Sequence, residues 1–488
     1  MIVGVLGIGY SFFTAPKNVE DVEKILAADS HHDGHHAEAA HHDDHATGIH
    51  AEEAHSEVAP AVTAEADSTA HNAQDTTHAA AAVAHDQASP TGDAKETTHA
   101  EHAHAAHDGH EAHVSHDAEH HEHLEHVLHQ LQNKPWAAVY VAALFFMLIS
   151  LGVLAFYAIQ NAAQAGWSPV LFRVMEGISS YLIPGSIIVF LLLAAGVMHW
   201  HHLFVWMDPK VVAEDHLIQG KSGYLNGTFF LIRAAIFMGG WILYRQYSRK
   251  NSIAQDEATD NSFYKKNFKA SAGFLVFFIV TESIMSWDWI MSVDPHWYST
   301  LFGWYVFASF IVSSVTVIAL VTLYLKSKGY MEYVNTSHIH DLAKFMFGFS
   351  VFWTYLWFSQ FMLIWYANIP EEVTYFVTRI EDYNLPFFGM VVMNFVFPIL
   401  ILINTDFKRL SWVIVMAGII ILCGHYMDFF NMIMPATVGD QWFIGAGEIG
   451  AILFFMGLFI LVVFNALTKA PLLAKRNPLI EESKHFHY

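Results

Sequence analysis

Apolar residues in this chain come in long unbroken runs, not in the alternation of a half-buried strand or the one-sided stripe of a soluble helix. From Lys134 onward nine runs follow, at roughly 136–158, 177–199, 225–244, 271–288, 301–325, 343–366, 386–404, 410–434 and 447–467. Each is long enough to cross a hydrocarbon core as a helix, which takes about 20 residues. Residues 1–14, MIVGVLGIGYSFFT, are apolar but short of that length. They read as an anchor or as half of a spanning helix, and a completed helix there would make about ten spans. The expected fold class is all-α integral membrane.

Between the first apolar segment and the nine runs the pattern changes. Residues 31–133 are His, Ala, Asp and Glu with few large apolar side chains, and they hold most of the chain's 34 histidines. Such a stretch cannot bury enough surface to fold alone, so it is expected to be a disordered linker. The expected organisation is therefore 1–30, a terminal helix and short amphipathic segment; 31–133, linker; 134–299 and 300–440, two membrane bundles; and 441–488, a last spanning helix and tail.

Composition sharpens this. At 54% hydrophobic and 15% aromatic residues, the chain is too apolar for an ordinary soluble protein. The formal charge of −22 sits mostly in residues 31–133, where Lys95 is the only Lys or Arg, and the remainder is near neutral. No nucleic-acid partner is expected. One cysteine, Cys423, excludes an internal disulfide, a CxxCH haem attachment or an iron–sulfur ligand set. A b-type haem needs two suitably facing histidines, and only His199 and His425 lie in or at the edge of the runs.

Basic residues alternate between the loops. Arg245, Arg249, Lys265, Lys326, Lys328, Lys408, Arg409, Lys475 and Arg476 mark one side, whereas Lys210, Lys221 and Arg379 are the few on the other. The positive-inside rule makes the first side cytoplasmic, with the C-terminus inside and the His-rich linker outside.

Carboxylates inside the runs are costly and point to protons, ions or a polar ligand. Glu282 and Arg233 fall at nearly the same depth on consecutive antiparallel segments and are expected to pair. Asp288 follows near the outer surface, with Trp287, Asp294 and His296 beside it. His425 and Asp428, three apart, share a helix face, with Asn431 a further turn along and Glu448 opening the next segment at the same level. His199 and His202, also three apart, would share a face as a metal pair, but no carboxylate follows at ligand spacing. The inner half offers little beyond Glu176 and Asp406. Each outer group has a bland reading as well: a helix tie for Glu282 with Arg233, a cap for Asp288, an interior hydrogen bond for His425 with Asp428, and an interfacial belt for Trp297, Tyr298 and Trp365.

The stretch SAGFLVFFIVTESIMSWDWIMSVDPHWYSTLFGWYVFASF, with APKNVEDVEKIL, HWHHLF and GHYMDFF elsewhere, resembles the second NrfD-like membrane subunit of bacterial alternative complex III. The likeness runs through the chain apart from the His-rich insert. It implies two four-helix NrfD-like bundles with one flanking helix on each side, in a quinol:electron acceptor (cytochrome c) oxidoreductase of the respiratory chain. It also implies partners: a sister NrfD-like subunit, multihaem c-type cytochromes and an iron–sulfur subunit, with a terminal oxidase beyond them. Haems and clusters then sit in those partners, and menaquinol or menaquinone is the candidate ligand at Asp288, Trp287, Asp294 and His296. The sister subunit's corresponding stretch resembles Ser-His-Asp-Phe. Trp287 replaces that histidine here, and Trp can only donate a hydrogen bond. The candidate proton path comprises Glu282, Arg233, Asp288, His425, Asp428 and Glu448. Two other classes remain open: a cation or metal carrier fed by the His-rich segment, and a membrane scaffold.

Overall fold

The computed structural model describes residues 1–27 and 108–487, in helices joined by short turns and with no strand among them. It divides into two units. One comprises Met1–Glu23 with Glu122–Tyr488; of the other, Lys24–His121, residues 24–27 and the beginning of a long helix are described. The labelled helices are α1 (Ile2–Thr14), α2 (Asp108–Ala162), α3 (Pro169–Val197), α4 (Gly227–Gln255), α5 (Ser262–Trp289), α6 (Phe302–Ser327), α7 (Thr336–Ala367), α8 (Pro370–Glu381), α9 (Asn384–Leu402), α10 (Ser411–Val438) and α11 (Ala446–Leu467). Among the described residues, the nine from α2 to α7 and α9 to α11 are long and apolar enough to span a bilayer. This is an all-α, multi-pass membrane protein. A tenth span is not shown, since α1 is short and apolar.

Two boundaries differ from expectation. The His-rich stretch was expected to be disordered up to residue 133, but α2 already begins at Asp108. Leu124, Val127, Leu128 and Leu131 repeat at helical spacing, and Leu124 and Val127 are buried. Residues 31–107 lie outside the described residues. The fourth run, expected over 271–288, is an α-helix from Ser262; Lys265, Lys266 and Lys269 occupy its first turns, so the apolar run begins later than the helix.

The first helix of each bundle lies at the centre. Along their apolar windows 94% of α2 and 83% of α6 is buried, against 28% of α7, so α2 and α6 form the shared core. Their close approach needs a small residue. A Cβ on Gly152 would overlap Ser314, whose Oγ instead donates to the Ile149 carbonyl at 2.8 Å. Helix α1 packs on α11 by the same device: Gly4 and Gly7 lie against the backbone of Gly450 and Phe454.

The helices run alternately, so α5 and α10, the fourth of each bundle, point the same way, and α10 also touches Met291–Val293 beyond α5. Asp288 and Asp428 thereby share one end, called here the acidic end. The opposite end carries the C-terminal tail, where Ser483 Oγ donates to the Trp167 carbonyl and the Lys475 amide donates to Asp256. Within α9, residues Val392–Val396 form a π-helical turn. Pro398 cannot donate to the carbonyl of Asn394, which favours such a widening.

Candidate functional site

Asp288 lies in the last turn of α5 and is fully buried. Arg233 of α4 grips it with both arms of the guanidinium: Nε donates to Oδ2 at 2.5 Å and Nη2 to Oδ1 at 3.1 Å. Tyr224 adds its hydroxyl to Oδ1 at 2.9 Å, and its ring and that of Phe229 lie 4.0 and 4.3 Å from the guanidinium carbon. The acid is therefore closed on every side by donors.

The expected partner of Arg233 was Glu282, and this is corrected. Side chains on a helix lean toward its N-terminus. On antiparallel α4 and α5, groups at one depth therefore lean apart, so Arg233 reaches toward the acidic end while Glu282 leans away. Asp288, further along α5, leans back toward Arg233. Glu282 is left buried at 3% exposure with only hydroxyls, Ser283 Oγ at 3.2 Å and Ser286 Oγ at 3.4 Å. No Lys, Arg or His nitrogen among the described residues lies within ion-pair distance of it.

The other expected neighbours of Asp288 disperse. His296 is exposed on the following loop and bonds Asp215 Oδ2 through Nε2 at 2.5 Å. The Ile218 amide, the His296 ring and the Leu217 amide hold the Asp215 carboxyl below its ordinary range. Asp294 accepts from the His296 amide at 3.2 Å, and the Trp287 indole N–H is buried without a partner. These groups do not converge with the Asp288 carboxylate into one pocket. Glu448 is a helix cap: Oε2 accepts from the Gly445 amide at 2.8 Å, leaving Oε1 buried and unpartnered.

The HWHH turn also differs from expectation. Helix α3 ends at Val197 and His199 adopts a left-handed conformation with φ 58°, so His199 and His202 share no helix face. His201, not singled out in the sequence, organises the turn. Its buried Nε2 donates to the Leu192 carbonyl at 2.9 Å and its Nδ1 accepts from the Leu203 amide at 3.3 Å; burial pushes this imidazole below its ordinary range. Among the described residues no group of three or more His, Cys, Asp or Glu is placed to hold a metal.

In the second bundle, His425 and Asp428 do share a face of α10, and both are fully buried. Asp428 accepts from the Tyr305 hydroxyl through Oδ1 and from the Trp353 indole through Oδ2 at 2.7 Å. His425 Nδ1 lies 3.0 Å from Ser309 Oγ and 3.7 Å from Asp428 Oδ2, while its Nε2 has no partner. No Lys or Arg among the described residues forms an ion pair with Asp428. A carboxyl, an imidazole, a phenol and a hydroxyl thus meet in a buried site, an arrangement that can take up and pass on a proton.

Sequence reasoning missed Tyr305, Trp353 and Ser309, which are neutral and so do not stand out in an apolar run as a charged residue does. One signal was present: Tyr140-Val141 in α2 and Tyr305-Val306 in α6 occupy matching places in the two bundles. Tyr140 donates to the Trp289 carbonyl at 2.8 Å, beside Asp288, as Tyr305 donates to Asp428. The opposite end was also underread. There Arg173 bonds Glu176 at 3.0 Å and Asp256 at 2.6 Å, with Arg249 3.4 Å from Glu176, in a buried network bracing α3 and α4.

No family model matches this chain, and no curated protein matches it either.

Proposed function

We propose that this chain is a membrane subunit of a quinol:electron acceptor oxidoreductase of the alternative complex III type, without redox centres of its own, which holds its partner subunits and handles protons at its acidic end. The observation that carries the reading is the His425–Asp428 site: buried, joined to Tyr305 and Ser309, free of any ion pair to Lys or Arg among the described residues, and with one imidazole nitrogen uncommitted. A purely structural group in that place would be expected to be closed, as Asp288 is by Arg233. Glu282, held only by serine hydroxyls, is the second proton-handling candidate.

In this reading the membrane is the bacterial inner membrane, the acidic end faces the periplasm, the His-rich segment lies on that side and the C-terminus is cytoplasmic. The basic loops support the orientation. Electrons travel through haems and iron–sulfur clusters in the partner subunits. Quinol oxidation belongs to the sister subunit, since Asp288 here is engaged by Arg233 and Trp287 offers no proton acceptor. The scaffold reading is favoured at Arg233–Asp288 alone.

The test joins identity to chemistry. Purification of the native assembly, with haem staining and mass spectrometry of co-purifying subunits, is expected to return multihaem cytochromes and an iron–sulfur protein. In that assembly Asp428→Asn is expected to slow quinol-driven proton release by about a hundredfold or more, the scale of a lost acid–base group. Glu282→Gln is expected to act in the same direction. Release unchanged in both variants leaves only the scaffold role, and metal uptake lost on deleting residues 31–107 supports a carrier.

A further inference from the structure

Arg379 of α8 is 5% exposed, yet no carboxylate among the described residues lies within ion-pair distance of it. Its Nε donates to the Asn431 carbonyl at 2.9 Å and its Nη1 to the Tyr375 carbonyl at 2.8 Å, and the guanidinium stacks 3.4 Å from the Tyr375 ring. Beside it is a small enclosed cavity lined by Tyr305, Trp357, Gln360, Tyr375, Arg379 and Asn431, with apolar neighbours. Three buried polar atoms of its lining have no partner: Gln360 Oε1, Asn431 Oδ1 and Trp357 Nε1. The Asn431 amide orientation is set by its Nδ2, which donates to the Pro386 carbonyl at 3.1 Å, so the orphan on that side is an acceptor.

Orphaned buried groups of this kind cost about 1–3 kcal/mol each, and their chemistry says what would satisfy them. Two acceptors and an indole donor surround the space, with the guanidinium supplying further N–H groups. That set matches the two donors and two acceptors of one water molecule. The room agrees: about 10 Å³ for the molecule's centre, against the ~10–15 Å³ that a single water needs. An anion would meet two amide oxygens, and a metal ion would meet the guanidinium.

We propose that this cavity binds one ordered water, and that the water links the Asp428–Tyr305 pair to Arg379 and the surface helix α8. This rests on the proton-handling reading. Tyr305 lines the cavity and its hydroxyl donates to Asp428, so a water accepting from Arg379 or Trp357 and donating to Gln360, Asn431 or Tyr305 extends the chain of hydrogen bonds by one step. Tyr305, Gln360 and Asn431 are then positioning residues for the relay, and Arg379 fixes the polarity of its outer end.

The test is an electron cryomicroscopy map of the assembled complex at a resolution that shows buried waters, together with Gln360→Met, which keeps the volume and removes the acceptor. The expected result is a density peak within hydrogen-bond distance of Arg379, Gln360 and Asn431, lost in Gln360→Met, and proton release slowed about tenfold in that variant. A cavity without density where other internal waters are resolved overturns the site. Loss of the peak with an unchanged rate overturns the relay. An Asp428→Asn complex that releases protons normally would instead sink the proton-handling reading itself, so the two failures are distinguishable.

Discussion

The two bundles each place an aspartate in the C-terminal half of the fourth helix, a tyrosine close by and a buried arginine in the neighbourhood, yet they assemble these parts differently. In the first, Arg233 sits on the adjacent spanning helix and engages Asp288 with two hydrogen bonds. In the second, Arg379 sits on the surface helix α8, bonded to backbone carbonyls, and Asp428 bonds Tyr305 and Trp353 instead. The first arrangement satisfies its charges completely and has nothing left to exchange. The second leaves His425 Nε2 and the lining of a small cavity uncommitted. The lesson is that the helix bearing the cation, more than the presence of the acid, decides whether a buried carboxylate is closed off or keeps uncommitted polar neighbours.

That contrast breaks most visibly in stability. Asp288→Ala leaves a buried guanidinium without its anion and is expected to cost about 3–5 kcal/mol, read as a large fall in the thermal unfolding temperature of the detergent-purified protein. Asp428→Asn removes no ion pair to Lys or Arg among the described residues. It should cost only about 1–2 kcal/mol, from one poorly replaced hydrogen bond, while its effect on proton release is the larger one. Equal losses of stability in the two variants would erase the distinction.

The exposed loop supplies a third and smallest case. Asp215 bonds His296 as Asp288 bonds Arg233, but in water. Its carboxyl is held below the ordinary range by the Ile218 amide and His296, so its contribution is present above the unfolded-state value near pH 4. That contribution is lost only as the pH falls through the lower folded-state value. Asp215→Asn should therefore leave the unfolding temperature almost unchanged at neutral pH, and the two proteins should converge further in acid. A loss as large as that of Asp288→Ala would show that pairing, not burial, sets the worth of these contacts.

Much of the fold was legible because the apolar runs are long and charge is sparse within them, so the nine long apolar helices follow from hydropathy, while the expected tenth span does not appear among the described residues. His425 with Asp428 was legible as well, since three residues on a helix fix a shared face. The pairing of Arg233 was not, because reasoning by depth ignored the lean of side chains toward each helix's own N-terminus. Tyr305 and Trp353 escaped notice as neutral residues among many aromatics. Arg379 looked like a loop cation until α8 folded its side chain inward. The Arg173–Glu176–Asp256 network depends on a loop aspartate whose position no periodicity specifies.

The central claim is that the carboxyl of the second bundle exchanges protons while that of the first does not. The most direct measurement is infrared difference spectroscopy of the assembled complex during quinol turnover, comparing the unaltered protein with Asp428→Asn and Asp288→Asn. A carboxyl difference band that disappears in Asp428→Asn and persists in Asp288→Asn is the predicted result. A band that follows Asp288, or a spectrum indifferent to Asp428, would contradict it.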